Sequence, residues 1–223
     1  MQSRVELGPS FSILVIYLEQ GESIRAEPGA MVSMSPSIEL KTKLAGGGLW
    51  GAVKAKLGGE SAFGSIYTAT SGPGELVLAP ATPGDIMQLD LGGNTIYAQG
   101  GAYLAGNPDL EISASGSLKA MFSGEGLFLA KISGNGPVFL TSYGGIYQRH
   151  LEPGQKYVVD TGHIVAFEQT VTYELKKAAK GWISSAVSGE GLVCQYCGPG
   201  NIWIQTRNLP AFASMIRSIT GEK

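Results

Sequence analysis

Three stretches of the chain open on the same signature. At Gly59 it reads GESAFGSIYTATSGPGELVL, at Gly124 GEGLFLAKISGNGPVFL, and at Gly189 GEGLVCQYCGPGNIWI. The starts lie 65 residues apart both times (59 to 124, 124 to 189). A unit repeated at a fixed period must fold as several similar bodies packed together. Each copy has Gly-Glu-Gly or Gly-Glu-Ser, an apolar run, a Gly/Pro turn and a second apolar run. That order reads as a β-hairpin, whose turn glycines reach positive φ without steric cost.

A second element precedes each copy. It starts at Gly21 (GESIRAEPGAMVSMSPSIEL), Gly84 (GDIMQLDLGGNTIYAQGGAYLAGNPDLEI) and Gly154 (GQKYVVDTGHIVAFEQTVTYEL). Each reads as short strands joined by Gly-containing turns, and Pro83-Gly84 and Pro153-Gly154 are turn dipeptides. The chain therefore divides into β-modules over 13–82, 83–143 and 144–207, followed by a helix and tail over 208–223. In NLPAFASMIRSITGEK, Asn208 is a helix N-cap and Pro210 sits in the first turn. Phe212, Met215, Ile216 and Ile219 fall on one helical face, expected to pack on the β-body.

The fold class is all-β: three tandem β-sandwich or double-stranded β-helix-like modules with pseudo-threefold symmetry and a short C-terminal helix. The 33 glycines and 11 prolines fit many strands joined by tight turns. A chain with 43% hydrophobic and 15% charged residues is not of disordered composition. A net charge of −2 supplies no basic field for nucleic acid. The apolar run 11–18 is too short to span a bilayer and lacks signal-peptide flanks, so it reads as a strand in a cytoplasmic protein.

Between these elements lies a third, at 44–59 (LAGGGLWGAVKAKLGG), 114–124 (ASGSLKAMFSG) and 177–189 (KAAKGWISSAVSG). These stretches are glycine-rich and lysine-flanked, with apolar residues three or four apart, the pattern of a loop with a weak helical turn. Leu49 and Trp50, Leu118 and Phe122, and Trp182 and Ile183 are the candidate surface contacts. Gathered on one face, they would make an apolar patch with a basic rim, fit for a protein partner, a membrane surface or a subunit interface. Folded inward, they would be core.

The residues that might carry chemistry are few. Cys194 and Cys197 have C-x-x-C spacing, yet a structural zinc needs four ligands and the chain has no second pair. In a strand they would point to opposite faces, so they read as small apolar strand residues. An intersubunit metal or a redox role is the alternative. Asp160 and His163 flank a turn, read as one in which the aspartate bonds backbone, against a catalytic Asp–His pair. Ser142 and Ser188 lack the nucleophile-elbow motif. LAGGGLWG lacks the ending of a phosphate loop. Glu60, Glu125 and Glu190 recur once per unit and read as turn glutamates, against an acidic ring. No metal site and no cofactor is expected.

Taken in order, GGESAF, GDIMQLDL, GGAYLA, SGEGLFLAKISGNGPVFLTSYGG, VVDTGHIVAFE and SGEGLVCQYCGPGNIWIQTRNL resemble the altered-inheritance-of-mitochondria protein 24 family, over about residues 12–209. The resemblance implies a threefold duplication of a subunit like that of the tryptophan RNA-binding attenuation protein. It also implies a homotrimer and no established enzymatic activity. The attenuation protein's basic RNA-binding motif has no match here, so nucleic acid is not expected. The function expected is a non-enzymatic oligomeric scaffold that contacts a partner or membrane surface through its Gly-rich apolar loops. The alternative is a small-ligand binding module with sites between β-modules.

Overall fold

The computed structural model describes residues 1–42, 64–115, 129–177 and 192–221. Strand β1 (Gln2–Glu6) precedes three runs of six strands. The first run is β2 (Ile13–Leu18), β3 (Ser23–Ala26), β4 (Met31–Met34), β5 (Ile38–Thr42), β6 (Ser65–Ala69) and β7 (Gly74–Leu78). The second is β8 (Ile86–Asp90), β9 (Thr95–Gln99), β10 (Tyr103–Gly106), β11 (Glu111–Ser115), β12 (Leu129–Ser133) and β13 (Pro137–Thr141). The third is β14 (Ile146–Leu151), β15 (Lys156–Asp160), β16 (Ile164–Glu168), β17 (Thr172–Lys177), β18 (Leu192–Cys197) and β19 (Gly200–Gln205). Helix α1 (Leu209–Thr220) closes the chain.

Every run folds the same way. Its first, sixth and third strands pair as one half-sheet: β2-β7-β4, β8-β13-β10 and β14-β19-β16. Its fourth, fifth and second strands pair as another: β5-β6-β3, β11-β12-β9 and β17-β18-β15. All these pairings are antiparallel. Each third strand carries a β-bulge at the same place, between Met31 and Ser33, Tyr103 and Ala105, and Ile164 and Ala166. A bulge recurring at one position is built into the unit and bends the strand there.

The repeated signature is not a hairpin. β6 and β7 lie in different sheets, as do β12 and β13, and β18 and β19. Steric contact explains the departure. Each sixth strand starts at or just after a glycine, Gly74, Gly136 or Gly200, pressed on the turn between its unit's third and fourth strands. A Cβ would come within 2.6 Å of Ser37 Oγ at Gly74, 2.7 Å of Asn107 Nδ2 at Gly136, and 2.5 Å of Thr170 Oγ1 at Gly200. The connection thus crosses from one half-sheet to the other instead of doubling back.

Adjacent units join by continuing a sheet. β3 pairs with β10, Ala26 facing Ala105 and Arg25 facing Gly106. β9 pairs with β16, Ala98 facing Ala166 and Tyr97 facing Phe167. The core follows the same plan. One cluster holds Leu14, Ile24, Tyr67 and Leu76 of the first unit with Leu104 and Phe139 of the second. The next holds Ile96 and Val138 of the second unit with Val165 and Trp203 of the third. The third adds Leu129 of the second unit to Phe167, Cys194, Tyr196 and Ile202. The third strand at each junction, β10 or β16, is buried on both faces, so Ile164–Glu168 reads IVAFE, almost continuously apolar. Strands with one open face alternate instead, as Ser65–Ala69 does.

The terminal helix forms as the sequence dictates. Asn208 Oδ1 accepts the Ala211 N–H at 3.1 Å, and Gly221 closes the helix in the left-handed region at φ 70°. Its apolar face departs from expectation. No residue of α1 is buried, and Phe212, Met215, Ile216 and Ile219 are exposed. The Tyr143 and Phe212 rings meet at 5.8 Å.

Candidate functional site

Among the described residues, two clefts lie where units meet. The larger, about 570 Å³, lies where the β8–β9 turn faces the third unit, lined by Asp90, Asn94, Gln148, Glu168, Asn201 and Trp203 among others. Its walls are preorganised. Asn201 donates from its backbone N to Glu168 Oε2 at 2.9 Å and from Nδ2 to Oε1 at 2.7 Å. Both oxygens of that carboxylate are therefore held by Asn201. The chemistry on offer is hydrogen bonding to a small polar molecule beside the Trp203 ring.

The smaller cleft, about 320 Å³, gathers the equivalent second-to-third-strand turn of each unit at Glu27, Gly100 and Gly162, with Tyr143, Gln205 and Pro210 beside them. Burial pushes the Glu27 carboxyl above its ordinary range.

The residues singled out by chemistry take structural places. Cys194 is buried on β18 and Cys197 is half-buried, both as free thiols. Burial raises the Cys194 thiol, which lowers its thiolate fraction. Among the described residues, no three His, Cys, Asp or Glu side chains gather at a spacing that holds a metal ion. Asp160 Oδ1 accepts the Gly162 N–H at 2.8 Å and Asn208 Nδ2 at 3.3 Å, the backbone-bonded turn read from the sequence. His163 Nδ1 is 2.8 Å from the Gln205 carbonyl, so that nitrogen carries the proton and donates. The Ser142 hydroxyl donates to the Gly144 carbonyl at 2.6 Å, in the connection between second and third units.

Ser188, Glu60, Glu125 and Glu190 lie outside the described residues, as do Leu49, Trp50, Leu118, Phe122, Trp182 and Ile183. What the structure does place is their attachment. Each candidate stretch connects a fourth strand to a fifth that pairs with it: Thr42 faces Ser65, Ser115 faces Leu129, and Lys177 faces Leu192.

Two features went unread in the sequence. One is β1, which pairs along β2 from Gln2↔Tyr17 to Glu6↔Ile13. The other is the contrast among the third strands. β10 is buried throughout and β16 all but its last residue, whereas all four residues of β4 are exposed. A signal existed, since β4 reads MVSM where its counterparts read YLAG and IVAFE. Among the described residues, no helix is long and apolar enough to cross a membrane.

Comparison with known proteins agrees with this architecture. A family model described as mitochondrial biogenesis AIM24 matches residues 4–207. An uncharacterized protein of Streptococcus pyogenes serotype M6 is 33% identical over 226 residues, covering 97% of this chain and 90% of its own. The X-ray crystal structure of a Streptococcus pyogenes protein superposes with a TM-score of 0.82 at 30% identity, over 98% of this chain and 99% of that one.

Proposed function

The chain belongs to the mitochondrial biogenesis AIM24 family, and from that premise we propose that it is a non-enzymatic oligomeric scaffold, a homotrimer that touches a protein partner or membrane surface through its three Gly-rich apolar stretches. The observation that supports this reading is their equivalent attachment. The stretches bearing Leu49 and Trp50, Leu118 and Phe122, and Trp182 and Ile183 leave and rejoin the same strand pair of each unit. Repetition of the unit therefore repeats an apolar, lysine-flanked stretch, and multiplying one weak contact raises avidity without any new chemistry. Changing Trp50, Phe122 and Trp182 together to Ser is expected to abolish co-sedimentation with anionic liposomes, or capture of the partner, while the oligomer keeps its mass. Loss of the oligomer instead would make these residues interface core and end the reading.

A second reading is favoured by the cleft of about 570 Å³ between second and third units. In that reading the protein is a small-ligand binding module. A metabolite that binds there raises the melting temperature by mass action, and Asn201→Ala, which frees Oε1 of the Glu168 carboxylate while the backbone bond to Oε2 stays, removes the shift. A screen of amino acids and nucleotides that produces no shift counts against it.

A further inference from the structure

The two junctions inside the chain follow one rule: the second strand of a unit pairs with the third strand of the next, β3 with β10 and β9 with β16. Among the described residues, three units in a row leave one strand of each kind without its partner. At one end of the array β4 is an outer edge, and at the other end β15 is. These are the two halves of a third junction.

Their surfaces match that role. Leu104 and Val165, behind the bulges of β10 and β16, are 0% and 1% exposed, whereas their counterpart Val32 on β4 is 58% exposed. Phe139 and Trp203, on the neighbouring sixth strands, are buried, while Val77 at the same place on β7 is half-exposed. The bulge of β4 is kept although, among the described residues, nothing pairs beyond it. β4 also carries no charge and no proline, the devices that stop an open edge from pairing. On the other side, Val158 of β15 is 55% exposed.

Register can be read off as well. Ala26, Ala98 and Val159 each stand five residues ahead of their unit's third strand, which starts at Met31, Tyr103 or Ile164. Ala26 faces Ala105 and Ala98 faces Ala166, the residues just past each bulge. Ser33 occupies that place on β4. One step back, Arg25 faces Gly106 and Tyr97 faces Phe167, which pairs Val158 with Met34. The Glu27 N–H donates to the Leu104 carbonyl at 2.8 Å. In a third junction its counterpart would be the Asp160 N–H facing the Val32 carbonyl.

We propose that copies of this chain join head to tail, β15 of one copy continuing into β4 of the next with Val159 opposite Ser33 and Val158 opposite Met34. The partner is a second copy, because this chain itself carries the complementary edge in that register. The contact is heterologous and ends only when the array closes into a ring. This inference rests on the oligomeric reading above and specifies its interface.

Native mass spectrometry of the full chain tests it, with Met34→Glu, Val158→Lys and the two combined. Both side chains are exposed in the single chain, so circular dichroism of the variants is expected to match the wild type. Each single change should reduce the assembly to one chain, because a buried unpaired charge then sits at every junction. The combined variant should reassemble, since Glu and Lys face each other at each contact. Met34→Glu with Val158→Glu should not. A wild type that runs as a single chain overturns both this proposal and the oligomeric reading. Single variants that keep the wild-type mass overturn the edge pairing and leave that reading standing. A combined variant no better than either single one overturns the register.

Discussion

Gly84→Ala is expected to lower the stability of the chain by about 3 kcal/mol or more, read as a drop in the urea midpoint. Gly84 lies where the connection between the first two units crosses the connection between the second and third. It forms a parallel bridge with Gly144. Around it, the Asp85 N–H donates to Gly144 O at 3.0 Å, the Gly144 N–H to Pro83 O at 3.0 Å, and the Ser142 N–H to Asp85 O at 3.1 Å. The Ser12 N–H donates to the Gly84 carbonyl at 3.0 Å, tying the start of the first unit to the same point. A Cβ on Gly84 would overlap the backbone carbonyl of Ser142. No rotamer relieves that clash, because both partners are main chain. One connection must move, and its hydrogen bonds with it. Gly101→Ala is the control: Gly101 has φ +92° with nothing within 4 Å of the added carbon, so only the left-handed backbone cost of about 1 kcal/mol applies. A Gly84 variant that loses no more than the Gly101 variant would mean the crossing yields easily.

The triplication was legible because period and turn chemistry are local. The glycines at 59, 124 and 189 announced three copies, Asn208 announced the helix start, and Asp160 announced its turn. Partner choice was not local. The Gly/Pro turn ahead of Gly136 looks like a hairpin loop, but the contact between Gly136 and Asn107, across 29 residues (136 minus 107), sends β13 to another sheet. Periodicity likewise marks the apolar face of α1 without saying what covers it. β1 was missed because QSRVE is a polar edge strand with little buried surface. The candidate contacts Leu49, Trp50, Leu118, Phe122, Trp182 and Ile183 rest on sequence alone, whereas their attachment points rest on strand pairing. The edges needed both, since only comparison of β4 with β10 and β16 shows that β4 is the odd one.

Arg25→Ala is expected to cost about 3 kcal/mol, because it removes a charged donor and strands the acceptors it serves. Arg25 is 8% exposed, on β3 at the first junction. Its Nη1 donates to the Leu110 carbonyl at 3.1 Å and its Nη2 to the Pro108 carbonyl, both in the second unit. Its stem lies against Gly64, where a Cβ would come within 2.7 Å of Cγ. Tyr103 Oη donates to the Arg25 carbonyl at 3.2 Å, and burial pushes that phenol well above its usual range. The guanidinium thus clamps the β10–β11 turn of one unit onto the sheet of another. The same place at the second junction is filled without charge, by Tyr97 stacked on Phe167 at 5.3 Å. One backbone plan therefore accepts a hydrogen-bonded cation or an aromatic pair, provided the neighbour's groups are satisfied. Arg25→Lys should recover only part of the loss, since a single ammonium does not reproduce the planar fork that spans two carbonyls. Arg25→Ala within about 0.5 kcal/mol of wild type in urea unfolding would show that water replaces the clamp at no cost and that the junction is held by its apolar core alone.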